Sequence, residues 1–372
     1  MSIDNPLLLK RLRAERQGLR VAIAVTMGLC AGLTFGDPLP FLAPMFATQF
    51  LMASPHPVSL RQGVMTVLII VVIGMLLVFI TALSRERPLV LAPLLWLLYF
   101  ACFVVQAQQK GGAGPALVLV VSIAVPLLDI LQRDLGEWIV SLFAKAICVG
   151  TLLAWGAHAL LPDPANDCPE VQLAPSCEPT LVIRQAMTSA SILLAMVVLC
   201  LSDPRLATAM VVPITVASLL SQFELSMSTR AALGLVTVNL LGGVVASVAF
   251  TFFELRPTLW LVALIVLLVS LLFAGQAAMG TGRGKAFGGG LIVFLVLFGL
   301  GISPLPNSTP DLFTTRIVYV LCAITYAITL TALMWPKPQL RVQSMSNISN
   351  TSLTRRAEPL GSTQVEVIRK QE

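Results

Sequence analysis

Twelve stretches of the chain are apolar over roughly the length of a membrane-crossing helix, and short polar or proline-bearing breaks separate them. A bilayer core of about 30 Å takes about 20 apolar residues in helical form. The stretches fall near 19–35, 39–53, 60–82, 88–106, 115–131 and 137–160, then 181–201, 205–222, 230–252, 257–275, 286–303 and 313–335. This pattern predicts an all-α polytopic membrane protein with about twelve transmembrane helices. Two breaks are tight: Gly36-Asp37-Pro38 after the first stretch and Ser202-Asp203-Pro204 after the seventh. The second stretch is short and fits a re-entrant element as well as a span.

Punctuation along the chain recurs at one offset. Arg61 and Arg230 lie 169 positions apart, as do Arg87 and Arg256, Pro88 and Pro257, Gly74 and Gly243, Pro44 and Pro213, and Gly111 and Gly280. Shared apolar composition does not explain matches among Arg, Pro and Gly. The chain therefore reads as a duplication, with six-helix repeats over 19–161 and 181–336 joined by a linker over 162–180. Residues 1–18 read as a basic interfacial helix, because Leu8, Leu12 and Leu19 fall on one face and Arg13, Arg16 and Arg20 on another. The polar tail over 337–372, rich in Ser, Asn and Thr, reads as disordered. A gapless offset is simplest if both copies cross in the same direction, which gives parallel repeats with an even number of spans each.

Composition sharpens the class. Apolar residues make up 57% of the chain and charged residues 11%, with mean hydropathy +0.89. Soluble domains carry about a quarter charged residues. A soluble enzyme and a nucleic-acid-binding module are both excluded, despite a net charge of +6 and pI ≈ 9.1. If the N-terminus is inside, thirteen basic residues fall at cytoplasmic ends, including Lys10 to Arg20, Arg61, Lys110 and Arg230, against six, such as Arg87 and Arg256, at periplasmic ends. That bias predicts both termini on the cytoplasmic side. The acidic linker carries Cys168 and Cys177. These are cytoplasmic thiols if each copy has six spans, or a periplasmic disulfide if the first copy has an odd number. Cys30, Cys102, Cys148, Cys200 and Cys322 read as small apolar fillers within spans.

Little of the chain suits catalysis. No phosphate-binding GxxxxGK[ST] loop is present, and the only histidines, His56 and His158, form no set with a nucleophile. No enzymatic activity, cofactor or metal is expected. Lys145 lies about 12 Å into the sixth stretch, counted from Glu137. There a lone ammonium costs roughly 2.5–3.5 kcal/mol unless it meets water, a cavity or a partner. It is a snorkelling lysine, a structural partner for a carboxylate such as Asp129, Asp134 or Glu137, or a cationic site for an anionic substrate. Asp37-Pro38 and Asp203-Pro204 suit ordinary helix starts, Asp at the N-cap and Pro in the first turn; the alternative makes Asp37 and Asp203, with Asp129, proton-coupling carboxylates. Pro44 and Pro213 sit at matching places and read as interruptions of corresponding spans, a pointer to a transport path. Gln49, Gln106, Asn239 and Gln276 add hydrogen-bonding groups to that path or join helices. The glycines at 111–114, 280–284 and 288–290 suit either broken helices or close helix packing.

Two copies of six short spans, each beginning at an Arg-bearing segment (Arg16–Arg20 and Arg184), have a proline-bearing second span, PLPFLAPMFATQFL and DPRLATAMVVPITVASLL. An S-x-R step and a Gly-containing third span follow. This arrangement resembles the aromatic acid exporter / fusaric acid resistance superfamily over most of residues 10–336. The resemblance implies an efflux protein for aromatic carboxylates and related toxic anions, working with a periplasmic adaptor (membrane fusion) protein and an outer-membrane channel. The duplicated architecture and Lys145 point the same way, to a secondary exporter of small organic anions in the lipid bilayer, and the resemblance implies a bacterial inner membrane; a homo-oligomer is expected. The alternatives are a passive anion channel and a non-transporting scaffold of an envelope complex.

Overall fold

The computed structural model describes residues 6–54, 57, 59–84, 88–108, 112–131, 135–162, 179–202, 211–222, 229–279, 282–303 and parts of 318–333. Every regular element among them is an α-helix. In chain order these are α1 (Pro6–Thr34), α2 (Leu42–Ala53), α3 (Leu60–Ser84), α4 (Pro88–Ala107), α5 (Gly114–Leu131) and α6 (Leu135–Leu160). Then come α7 (Pro179–Ser202), α8 (Val211–Gln222), α9 (Thr229–Leu255), α10 (Leu259–Ala278) and α11 (Gly282–Gly301), and α12 (Leu321–Thr331). Seven of them, α1, α3, α4, α6, α7, α9 and α10, are long and apolar enough to cross a membrane. The protein is an all-α polytopic membrane protein.

Burial separates an interior from a rim. The helices α2, α5, α8 and α11 are buried almost all round: α5 is buried without a break from Leu117 to Leu127, and α11 from Val293 to Gly299. A helix apolar on every side has no polar face to solvate and belongs inside. The long helices bury only a stripe. In α3 that stripe is Gly63, Ile70, Gly74, Leu77, Thr81 and Ser84, while Leu68, Val72, Met75 and Phe79 point outward as a lipid-facing surface does. At 12 residues, α2 and α8 rise only about 18 Å. Neither crosses a bilayer alone, so the second and eighth apolar stretches are half-length elements.

Helix boundaries and contacts recur at the 169-residue offset. Residues 42–53 shift onto 211–222, the limits of α8, and 114–131 shift to within one residue of the limits of α11. Exchanging α1–α5 for α7–α11 turns each main contact into another: α1 against α10 becomes α7 against α4, α3 against α5 becomes α9 against α11, and α2 against α11 becomes α8 against α5.

α1 corrects one expectation from the sequence. It runs unbroken through residues 18 and 19, and its leucines are not the packing face: Leu12 and Leu19 point outward. The buried stripe is instead Ala14, Gly18, Val21, Ala22, Val25 and Leu29. Small residues at four-residue steps let backbones approach, and a Cβ at Gly18 would lie 2.9 Å from Gly275 Cα of α10. Arg20 leaves the polar face altogether. It is 2% exposed and donates from Nε and Nη2 to the Leu161 carbonyl just past α6, at 2.9 and 2.5 Å. The cysteines also divide: Cys102 and Cys200 are buried fillers as expected, but Cys148 and Cys322 face outward.

Candidate functional site

The α1–α2 connection is a hairpin whose tip is fixed by backbone geometry. Gly36 has φ +69°, a left-handed conformation that Gly adopts without a Cβ penalty. The Asp37 N–H then donates to Gly32 O at 2.9 Å and the Gly36 N–H to Leu33 O at 3.3 Å, the paired bonds of a Schellman cap. Asp37 thus closes α1 and does not start the next helix; α2 begins five residues later, after Phe41, which makes no side-chain cap bond. Nor does Pro44 interrupt α2. It is the third helical residue, as Pro213 is in α8, and first-turn prolines remove no intrahelical hydrogen bond. Both are buried, and the Thr48 hydroxyl donates to Pro44 O at 2.8 Å.

The two hairpin arms meet through glycine. A Cβ at Gly28 would lie 3.3 Å from Pro44 Cβ, and one at Gly32 would lie 3.0 Å from Pro40 Cα and 3.1 Å from Pro40 O. Gly28 and Gly32 form a GxxxG step that prolines four residues apart, Pro40 and Pro44, fill from the other arm. Gly32→Val is expected to push the arms apart, because the contact it meets is backbone. Membrane-inserted protein should fall several-fold against the parent on a quantified blot, whereas Gly36→Asn should be tolerated since Asn adopts positive φ.

Three contacts set the depth of the tip. Near one end Arg20 of α1 meets Leu161 past α6, and the Gln17 amide donates to Leu51 O near the end of α2. At the other end Lys145 Nζ of α6 donates to Asp37 Oδ1 at 2.5 Å. α1 and α6 are therefore antiparallel, and the hairpin ends at Lys145. From Lys145 back to Leu135, α6 continues for ten residues, about 15 Å. The tip thus meets α6 ten residues in from its start and not at its end. Among the described residues the carboxylate bound to Lys145 is Asp37 and not its neighbours Asp129 or Glu137. Local sequence spacing favoured those, but the hairpin brings Asp37 from 108 residues away.

Behind the tip lies a small apolar cavity of about 40 Å³, lined by Leu42 and Met45 of α2, Ala124 of α5, Phe143 of α6, Ile214 of α8 and Val296 of α11, among others. Met45 and Ile214 are 169 residues apart. Phe41 of the tip packs where a Cβ on Gly299 would lie, and the Ser303 hydroxyl donates to Pro38 O. The ion pair is on the opposite, outward side of the tip, with the Lys145 side chain 60% exposed and Asp37 25%.

The remaining candidates are dispersed. Gln49 Oε1 on α2, Gln106 Oε1 on α4 and Asn239 Oδ1 on α9 are buried and accept no hydrogen bond among the described residues, as is true of Gln222 Oε1 on α8, a residue no sequence pattern marks. Gln222 and the Val238–Asn239 turn both flank the glycines of α11: a Cβ on Gly289 would meet the Gln222 amide, and one on Gly290 would lie 2.8 Å from Val238 O. Close packing is what Gly288–Gly290 provide. Gln276 is outward-facing near the end of α10, and Asp129 is 4% exposed beside Gly136. Gly74 meets Val140 and Gly243 meets Leu297, so these matched glycines serve different neighbours. Arg61 and Arg256 are exposed, and Arg230 opens α9. Asp203, Arg87, Gly111, Gly280, Asp134, Cys168 and Cys177 lie outside the described residues, and no group of metal-binding side chains occurs among those described.

A family model described as a protein of unknown function (DUF2955) matches residues 17–153, which include the hairpin, Asp37 and Lys145. No curated protein and no solved structure matches the chain.

Proposed function

We propose that this protein is a secondary transporter that exports small organic anions, aromatic carboxylates among them, across a bacterial inner membrane together with a periplasmic adaptor protein. The observation that carries the reading is the Lys145–Asp37 pair at the tip of a half-length hairpin. A fixed cation and carboxylate at membrane depth are costly to hold and mark ion or substrate pathways in membrane proteins. Lys145 has three N–H groups, and Asp37 takes one. The others are placed for an anionic oxygen.

A carrier fits better than a passive channel because the helix boundaries repeat along the chain around a small apolar centre. The duplicated boundaries support rearrangement of one repeat against the other about this centre. The adaptor rests on the superfamily resemblance. Proteoliposomes loaded with radiolabelled benzoate test the reading: saturable, protein-dependent efflux that responds to a pH gradient is expected. Flux equal to that of protein-free vesicles would overturn it, as would non-saturating benzoate currents indifferent to protons in a planar bilayer.

A further inference from the structure

A second cavity, about 200 Å³, opens on the outer surface between α1 and α6. Its lining includes Ile23 and Met27 of α1 and Val149, Leu152, Gly156 and Leu160 of α6. Met27, Leu152 and Leu160 are 60–64% exposed, so the groove is open to the side, where the bilayer lies. A Cβ on Gly156 would meet nothing within 4 Å, so this glycine leaves the floor free. Lys145, Val149, Leu152, Gly156 and Leu160 succeed one another at three- or four-residue steps on one face of α6. The apolar groove ends at Val149, and Lys145 with its ion pair stands one helical turn beyond on the same face. A phospholipid keeps its head at the interface and cannot bring it to Lys145. A molecule that meets both features has one long apolar tail and a head that tolerates the bilayer interior.

We propose that this groove takes up long-chain monocarboxylic acids sideways from the bilayer, in the neutral form, and that Asp37 receives their proton. The charge balance favours such a ligand. The Asp37 carboxylate and Lys145 ammonium are together neutral, and so is the arriving acid. When the O–H bond of the acid breaks, its proton passes to Asp37 Oδ1, the new carboxylate takes the Lys145 N–H, and the site stays neutral throughout. Both partners are aliphatic carboxyl groups with intrinsic pKa values within about one unit, so the transfer is close to balanced. Other titratable groups on the packed elements do not join the pair. Cys148 lies one turn from Lys145 on α6, with Glu137 toward the start of that helix; Cys30 is on α1, Arg61 on α3 and Asp129 on α5, and α2 has none. Arg20 and His158 are held at the far end of α6 by the Leu161 and Ala154 carbonyls.

The proposal rests on the transport reading for the fate of the acid, so binding is measured without flux. Full-length protein in phosphatidylcholine nanodiscs is irradiated with a diazirine analogue of palmitic acid, and labelled peptides are mapped. Labelling is expected on residues 23–27 and 149–160, competed by palmitic acid and not by its methyl ester. Lys145→Met should lower it roughly tenfold, equivalent to about 1.4 kcal/mol, while Lys145→Arg keeps most of it. Gly156→Leu should block labelling and leave benzoate efflux intact. Equal competition by the methyl ester would overturn the proposal by showing a merely greasy groove. So would crosslinks joining two copies through the outer face of α6, which would make this face an oligomer contact. If the labelling holds and benzoate flux is absent, the groove stands and the transport reading falls.

Discussion

Lys145→Met abolishes benzoate efflux and lowers the amount of inserted protein, and adding Asp37→Asn restores the amount without restoring efflux. That is the expected result for a pair that is both structural and functional. Removing the ammonium alone leaves the Asp37 carboxylate at membrane depth without its counter-ion. A lone charge there costs roughly 2.5–3.5 kcal/mol, although taking up a proton relieves part of this for an acid. Replacing both groups removes both charges and keeps similar shapes, so the hairpin again has a neutral tip. Breaking an ion pair is costly where replacing it as a unit is not. Efflux and blot intensity, measured on the same membranes, separate the two roles. A double variant that transports at the parental rate would reduce the pair to a structural clip.

Arg20→Leu should be the most damaging single change outside the pair. The Arg20 guanidinium is the largest fully buried side chain described, and it meets the Leu161 carbonyl through two nitrogens. The last carbonyls of a helix lack intrahelical partners, and here a cation satisfies the end of α6 while matching its negative pole. Charge-assisted bonds of this kind contribute about 1.5–3 kcal/mol. The leucine variant should lose most inserted protein, and detergent-solubilised material should aggregate at a markedly lower temperature in fluorescence-monitored gel filtration. Lys at this position reaches the carbonyl with one nitrogen and should be intermediate. An Arg20→Leu protein with the parental level and aggregation temperature would refute the capping role.

The sequence yields the membrane class and the helix periodicity because both depend on local composition. Half-length helices are legible only in part. The shortness of α2 shows in the spacing of Gly36, Pro38 and Pro40, but its position inside the bundle depends on burial all round, which hydropathy does not distinguish from exposure to lipid. Lys145 stands out because a charge among apolar neighbours is conspicuous. Its partner does not, because local spacing points to carboxylates within a few turns and Asp37 arrives through a hairpin. Arg20 was hidden in plain view: among five basic residues it reads as one more interfacial charge, and only the meeting of α1 with the end of α6 removes it from that face.

The order of synthesis gives the hairpin a particular history. A helix of 12 residues such as α2 is too short to partition into the bilayer by itself. Its local contacts, Gly28 against Pro44 and Gly32 against Pro40, are available as soon as α2 is made. The contacts that anchor it come late: Lys145 is made 108 residues after Asp37, and Ser303, which binds Pro38 O, 265 residues after it. Contacts so distant along the chain close slowly. The hairpin can therefore close on itself early in biogenesis, yet it docks into the bundle only as the last helices arrive.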